Sequence, residues 1–495
     1  MDENMSLFQR LKDYCASDTA PLHMPGHKRN VQGLEFLGRL GGDLDISEVE
    51  GFDDLHRPEG ILKDSMEKTA QLWGSDKSFF LVNGSSCGLL AAVRSASESG
   101  GKLIMARNCH KSVYNAAELC RLEPIYLEPA RVEDFSFCGS ISPHSVELAV
   151  RDNPGTPVIL TSPSYEGVIS NVAEIAIICH MYGSALIVDE AHGAHLDLSS
   201  HFTGGAVRGG ADIVIQSLHK TMTGLSQTGL LHLCGPLISE ERLQNELSIF
   251  QTSSPSYLLM SSIDETRELV LRRGGELFRR WKGALDHFDE SVGILQNLKI
   301  PGHSVKFQCQ PEDKKAGKEG YKAKKLSCPS VFGYDRSKII ISCEGTDTTG
   351  IELMNSLRQR FSIECEMASC GYVLAMTGLL ERQDSLERLS AALIELDGEL
   401  RKTAPRLPFS LPKTPPRRMS AFEASLAEQK SVYLKDGAGR ISAEYIWAYP
   451  PGIPMAVPGE ELTAELLKSF IIQREAGVSL RSSSGGMPKM LRVVD

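Results

Sequence analysis

Residues 185–192 read Ala-Leu-Ile-Val-Asp-Glu-Ala-His, and residues 212–220 read Asp-Ile-Val-Ile-Gln-Ser-Leu-His-Lys. Each stretch holds a short apolar run rich in β-branched residues, the pattern of a strand buried on both faces. Asp189 closes the first run and Lys220 lies just past the second. Both functional groups therefore sit at the carboxyl ends of strands, the edge where open α/β sheets bind ligands. A lysine amine can form a Schiff base with the aldehyde of pyridoxal phosphate. A carboxylate can keep that ring's nitrogen protonated, so that the ring accepts electrons. Taken singly, a turn-capping Asp and a surface Lys explain each residue equally well. The two motifs together point to amino-acid chemistry.

Around this pair, strand-like and helix-like stretches alternate from residue 79 to residue 235. Phe79–Val82, Lys102–Ala106, Pro124–Leu127, Val158–Thr161, Ala185–Val188, Asp212–Gln216 and Gly229–Leu233 read as strands. Helical patterns such as Lys111–Cys120 and Val172–Tyr182 lie between several of them. This predicts an α/β fold with a mostly parallel seven-stranded sheet covered by helices. Beyond residue 260 the pattern changes. Glu265–Gln296 reads as one long helical stretch or two. Lys338–Cys343, Thr346–Phe361, Tyr372–Thr377 and Ser385–Lys402 suggest a smaller α/β unit. The segment 311–327 carries six lysines and three acids and reads as a solvated loop. Pro405–Arg418, rich in proline and basic residues, reads as an extended connector. The expected division is residues 1–60 as an N-terminal segment serving dimer and active site, 61–290 as the cofactor-binding major domain, 291–404 as a small α/β domain and 405–495 as a C-terminal domain.

Composition narrows the class. A chain of 495 residues with 41% hydrophobic and 23% charged content can bury large cores. A net charge of −10 argues against nucleic acid or an anionic membrane as the main partner. The twelve cysteines include no Cys-x-x-Cys pair, so neither a zinc site nor a disulfide scaffold is indicated. The first residues lack the apolar core of a signal peptide, and no apolar run reaches the ~18 residues of a membrane helix. A cytoplasmic protein is expected.

Phe79–Leu90, Phe-Phe-Leu-Val-Asn-Gly-Ser-Ser-Cys-Gly-Leu-Leu, runs from a buried strand through Asn-Gly-Ser-Ser into a helix. Backbone N–H groups and the hydroxyls of Ser85 and Ser86 would face an anion there, and Gly84 would let the backbone approach closely. Alone, such a turn only caps a helix. His110, in Arg-Asn-Cys-His-Lys-Ser (107–112), could stack on a cofactor ring or simply start a helix. His192 and His195 form His-x-x-His without the carboxylate or third ligand of a zinc signature, so no metal is expected.

These stretches carry a resemblance. The chain resembles the ornithine/lysine/arginine decarboxylases, which have the aspartate-aminotransferase-like fold type I of pyridoxal phosphate enzymes. The matching stretches are Leu22–Lys28 (Leu-His-Met-Pro-Gly-His-Lys), Asp45–Pro58, Asn83–Ser86, Arg107–Ser112, Asp189–His195, Ser217–Lys220, Gln251–Tyr257 and Tyr449–Glu460, in the family's order over almost the whole chain. The chain is most similar to the short, Gram-positive-type members, since the wing domain of the large inducible enzymes has no room before residue 22. The resemblance implies that Lys220 is the Schiff-base lysine and Asp189 the partner of the pyridinium nitrogen. It makes His110 the ring-stacking residue. Gly84, Ser85, Ser86, Ser217 and His219 would hold the phosphate, and Ala191 and His192 would lie beside the ring. Thr252–Ser254 would reach a partner's cofactor in a homodimer with shared active sites, and Glu460 would meet the distal cation of the substrate. Two departures are visible: Gly84-Ser85-Ser86 replaces the usual Gly-Thr-Ser/Thr, and Glu50-Gly51-Phe52-Asp53-Asp54-Leu55-His56 replaces Pro-Gly-Leu-Asp-Asp-Leu-His.

The activity so implied is loss of carbon dioxide from a basic amino acid, with His219 or Lys220 returning a proton to the α-carbon. Arginine is the first expected substrate, then lysine or ornithine. The same apparatus could serve an aminotransferase or lyase, and a weakly active regulatory paralogue is the third alternative.

Overall fold

The computed structural model describes residues 5–132, 135, 137–301, 330–403, 413–448, 452–475, 477–485, 487 and 489–495. All seven expected strands pair into one sheet. β1 (Lys77–Leu81), β2 (Lys102–Ala106), β3 (Glu123–Leu127), β4 (Val158–Thr161), β6 (Leu186–Asp189), β7 (Ile213–Ser217) and β8 (Gly229–Leu233) lie in the order β1-β8-β7-β6-β4-β2-β3. The five strands from β7 to β3 are parallel, and β8 runs antiparallel to both neighbours. A short strand, β5 (Val168–Ile169), pairs outside this sheet with β9 (Gly333–Tyr334).

The central strands carry unbroken apolar runs because both their faces are covered. Val158, Ile159 and Leu160, then Ile213, Val214 and Ile215, are fully buried. Helices Gly84–Ala96, Lys111–Leu119 and Val172–Met181 turn their apolar sides into that core. A second core forms around a helix from Tyr257 to Val292, with Tyr257, Phe278, Trp281 and Phe288 buried. This helix is one element and starts earlier than the pattern from Glu265 suggests, since Ser256 accepts the N–H of Leu259 as an N-cap. Gly274 and Gly275 do not break it. Gly274 packs closely, its pro-Cβ direction lying 3.2 Å from Val270 Cγ1.

The smaller unit follows. β10 (Lys338–Ser342), β11 (Met367–Ala368) and β12 (Tyr372–Met376) form an antiparallel sheet in the order β10-β12-β11 beside helices Gly350–Phe361 and Gln383–Glu399. A last group of strands and helix Ala464–Glu475 encloses Ile446, Leu466 and Phe470. The polar segment 311–327 lies outside the described residues, as do 404–412 of the proline-rich stretch. The described end of that stretch is strapped along the sheet edge: Arg417 donates to Pro124 O and Glu123 Oε1, both at 2.9 Å. Among the described residues no helix is long and apolar enough to cross a membrane.

Candidate active site

In-register pairing of β6 with β7 sets Asp189 beside Ile215, so Asp189 and the Ser217–Lys220 turn share one edge of the sheet. Asp189 is buried, and its Oδ1 accepts the Ala191 N–H at 3.2 Å. Burial raises its pKa, and the charge of Lys220 opposes that rise. Lys220 lies in the single helical turn Leu218–Thr221, where Nζ is 2.8 Å from His192 Nε2. Burial lowers the amine's pKa, with Asp189 opposing. His192 is itself buried and held well below the ordinary histidine value by burial and by Lys220. When Lys220 donates to Nε2, the ring proton is on Nδ1, a buried atom with no hydrogen-bond partner among the described residues.

The anion cradle forms across the neighbouring strands. Helix Gly84–Ala96 starts after Asn83, whose side chain makes no cap; the Gly84 N–H donates to Gln227 O at 2.8 Å, and no side-chain cap claims the N–H groups that follow it. Gly84 has φ +73° and open space where a Cβ would stand. Ser217 Oγ donates to Ser85 Oγ at 3.0 Å, tying the end of β7 to this turn, while Ser86 is exposed. His219 Nδ1 lies 3.0 Å from Thr228 O, which fixes its ring and leaves Nε2 as the other nitrogen.

His110 caps helix Lys111–Leu119, with Nδ1 accepting from Ser112 N at 3.3 Å and from Ser112 Oγ at 2.5 Å. Burial, reinforced by Lys220 and Lys111, lowers its pKa to about 4. The capping role is therefore real, and the same ring senses Lys220. Its Nε2 lies 3.9 Å from the pro-Cβ position of Gly452.

The structure does not bring Glu460 into this cluster. Glu460 is buried, with Oε2 3.2 Å from Arg107 Nη2 and accepting the Val457 N–H at 2.9 Å. Arg107 also donates to Pro454 O and Met455 O, so the pair anchors the C-terminal segment beside β2. Thr252 O accepts from His56 Nε2 at 2.8 Å, and Thr252–Ser254 are exposed.

Two residues escaped the sequence reading. The Tyr165 ring packs on the His192 ring, centroids 4.6 Å apart, and the Tyr165 hydroxyl donates to Glu366. Glu366 is exposed, and its charge acts on Lys220. The position of Tyr165, four residues past β4 at the edge that carries Asp189, was the available signal. Among the described residues no group of three or more His, Cys, Asp or Glu is placed to hold a metal ion.

A mostly parallel seven-stranded sheet of this order, with lysine and aspartate at its carboxyl edge, is the arrangement of fold type I pyridoxal phosphate enzymes. The constitutive lysine decarboxylase of Escherichia coli shares the fold, with a TM-score of 0.79 and 21% identity over 99% of this chain and 82% of that one. The Orn/Lys/Arg decarboxylase major domain matches residues 5–350, and the C-terminal domain of the same family matches residues 409–477. The chain belongs to the Orn/Lys/Arg decarboxylase family and is an amino-acid decarboxylase. It is 28% identical to the arginine decarboxylase of Bacillus subtilis over 99% of this chain and 97% of the relative. It is 23% identical to the inducible lysine decarboxylase of Escherichia coli over 93% of this chain and 75% of the relative.

Proposed function

We propose that this chain converts arginine to agmatine and carbon dioxide, with lysine as the second substrate, using pyridoxal phosphate held at Lys220. The observation that carries the reading is the meeting of Lys220 with His192 and Asp189 at one sheet edge. Arginine leads because relatives matching nearly end to end are named arginine decarboxylases.

The residues fit the cofactor. Gly84 leaves open space at a helix N-terminus flanked by two linked serine hydroxyls, and His192 Nδ1 is a buried donor awaiting an acceptor. Ser85, Ser86, Ser217 and His219 would hold the phosphate, Asp189 the pyridine nitrogen, and His110 one face of the ring. When bound, the cofactor supplies an electron sink for the pair left behind by the departing carboxylate. The protein's own part is orientation and proton handling. Asp189 holds negative charge at the ring nitrogen. His192 and Tyr165 wall one side and limit water. Lys220 Nζ, hydrogen-bonded to His192 Nε2 at 2.8 Å, would carry the proton to the α-carbon, with His219 as the second candidate. Glu366, exposed and fixed by Tyr165, is the carboxylate suited to the distal cation, whereas Glu460 is already committed to Arg107.

A homodimer accords with the exposed apolar side chains of Leu22, Met24, Leu34, Phe36 and Leu40, which need a cover. Cys15, Cys87, Cys109, Cys120, Cys138, Cys179, Cys234 and Cys365 are free thiols, which supports a cytoplasmic setting.

The test is mass spectrometry of products from cofactor-loaded protein given arginine, lysine and ornithine in competition. Agmatine is expected as the main product. Cadaverine or putrescine as the main product would reassign the substrate, and 2-oxo acids would overturn decarboxylation in favour of transamination.

A further inference from the structure

Lys338 is a charged residue where stability does not ask for one. It opens β10, its side chain is fully buried, and Ile339, Ile340 and Ile341 follow it. Taking an ammonium out of water costs several kcal/mol, and apolar side chains of the same volume often stabilise a fold as well as a buried ion pair does. All three of its protons are used. Nζ donates to Asp335 Oδ2 at 2.8 Å, to Ser337 Oγ at 2.7 Å and to the main-chain oxygen of His192 at 2.9 Å. The first two contacts are local. The third reaches back to the loop after β6.

Asp335 makes the second connection. Its Oδ1 lies 3.1 Å from His195 Nε2, and His195 Nδ1 lies 3.1 Å from Thr221 Oγ1. His195 is fully buried, and a carboxylate at Nε2 places the ring proton there, so Nδ1 accepts from the Thr221 hydroxyl. Thr221 follows Lys220, and its main-chain oxygen accepts the Leu379 N–H at 2.9 Å. One buried ion pair thus grips both loops whose side chains meet in the Lys220–His192 hydrogen bond.

We propose that Lys338 and Asp335 are positioning residues for decarboxylation, fixing Lys220 Nζ against His192 Nε2 through the His192 backbone, His195 and Thr221. The inference rests on the decarboxylase reading for what Lys220 does, while the geometry stands apart from it. The titratable groups that face Lys220 are Asp189 from β6, His192 from the following loop, Lys338 from β10, Glu366 from just before β11, and the neighbouring His110 and His219. A loosened loop changes several of these separations together.

The experiment compares the holoenzyme with Thr221→Val, Thr221→Ser and Lys338→Met variants. Thr221→Val removes only the hydroxyl that holds His195 Nδ1. The pH midpoint of the bound cofactor's absorbance change should shift by about one unit, and kcat should fall ~10- to 100-fold with a smaller change in KM. Thr221→Ser, which keeps the hydroxyl, should restore both. Lys338→Met should move both readouts in the same direction and further. A folded Thr221→Val enzyme with wild-type midpoint and kcat would overturn the proposal. If Lys338→Met fails to fold, the Thr221 pair still decides. A wild-type protein that forms no amine overturns the activity reading alone, because the absorbance midpoint needs only cofactor bound at Lys220.

Discussion

Two glutamates of opposite circumstance divide the proposed substrate contact from architecture. Glu366 is exposed and held by Tyr165, and its charge acts on Lys220. Glu460 is buried against Arg107. Glu366→Gln removes a charge-assisted bond to a cationic substrate, so kcat/KM for arginine should fall ~10- to 100-fold in steady-state assays, with the melting temperature nearly unchanged. Glu460→Gln strips a buried guanidinium of its counter-charge and should cost about 3 kcal/mol or more of stability in urea unfolding. The reverse pattern would restore Glu460 as the substrate contact. Lys220→Ala should abolish decarboxylation outright, since no other amine described here meets both Asp189 and His192, and retention of activity would refute the site. At this scale Lys220, Asp189 and the serines of the proposed site stand out in the sequence because each ends or follows a β-run. The sequence hid Lys338, which opens the run Lys338–Cys343 with nothing there to mark its burial, and it hid Glu366, whose partner Tyr165 lies far away in the chain. Contacts made only by tertiary approach leave no periodic trace.

Among the elements, the stretch Glu50–His56 has a local physical meaning that its resemblance alone did not reveal. Asp53 has φ +69°, a left-handed conformation that Asp tolerates better than most residues. Its carboxylate accepts the N–H groups of Glu59, Gly60 and Leu62 at 2.8, 2.7 and 3.1 Å, at the start of helix Ile61–Trp73. The Tyr257 hydroxyl donates to the Asp53 main-chain oxygen, joining this turn to the start of the long helix. Asp53→Ala should therefore destabilise the fold by about 1–2 kcal/mol, with Asp53→Asn losing less, as read from urea midpoints. Equal stability of all three proteins would show that the turn is held elsewhere. Strand positions were legible because parallel strands buried on both faces carry unbroken apolar runs. Helix starts were less so: the long helix begins at Tyr257, and Gly350–Phe361 begins after a Thr349–Glu352 capping box, both fixed by side-chain caps.

Over the whole molecule, buried histidines make the fold sensitive to acid, and one of them can be isolated from the catalytic chemistry. His232 on β8 is fully buried, with Nδ1 2.8 Å from Ser78 Oγ, Nε2 3.2 Å from Gln216 Oε1, and its ring stacked on Trp73. Gln216 in turn donates to Glu190, the neighbour of Asp189, whose carboxyl burial pushes up to about 8. Burial lowers the His232 pKa to about 3, against an unfolded value near 6.5. The depressed folded value fixes the sign. Below pH ~6.5 the unfolded chain binds a proton that folded His232 refuses, so this stabilisation is complete above that pH and is lost as pH falls toward the folded pKa. Glu190 works in the opposite sense, its contribution being full at low pH and lost as pH rises through about 8. Comparison with His232→Gln removes that background. Between pH 6.5 and 4.5 the wild type should lose up to ~1.4 kcal/mol per pH unit more than the variant in urea unfolding. Parallel pH curves for the two proteins would mean that folded His232 takes up its proton as readily as the unfolded chain does, and that the Ser78–His232–Gln216 chain carries a charge across the β1-β8-β7 side of the sheet.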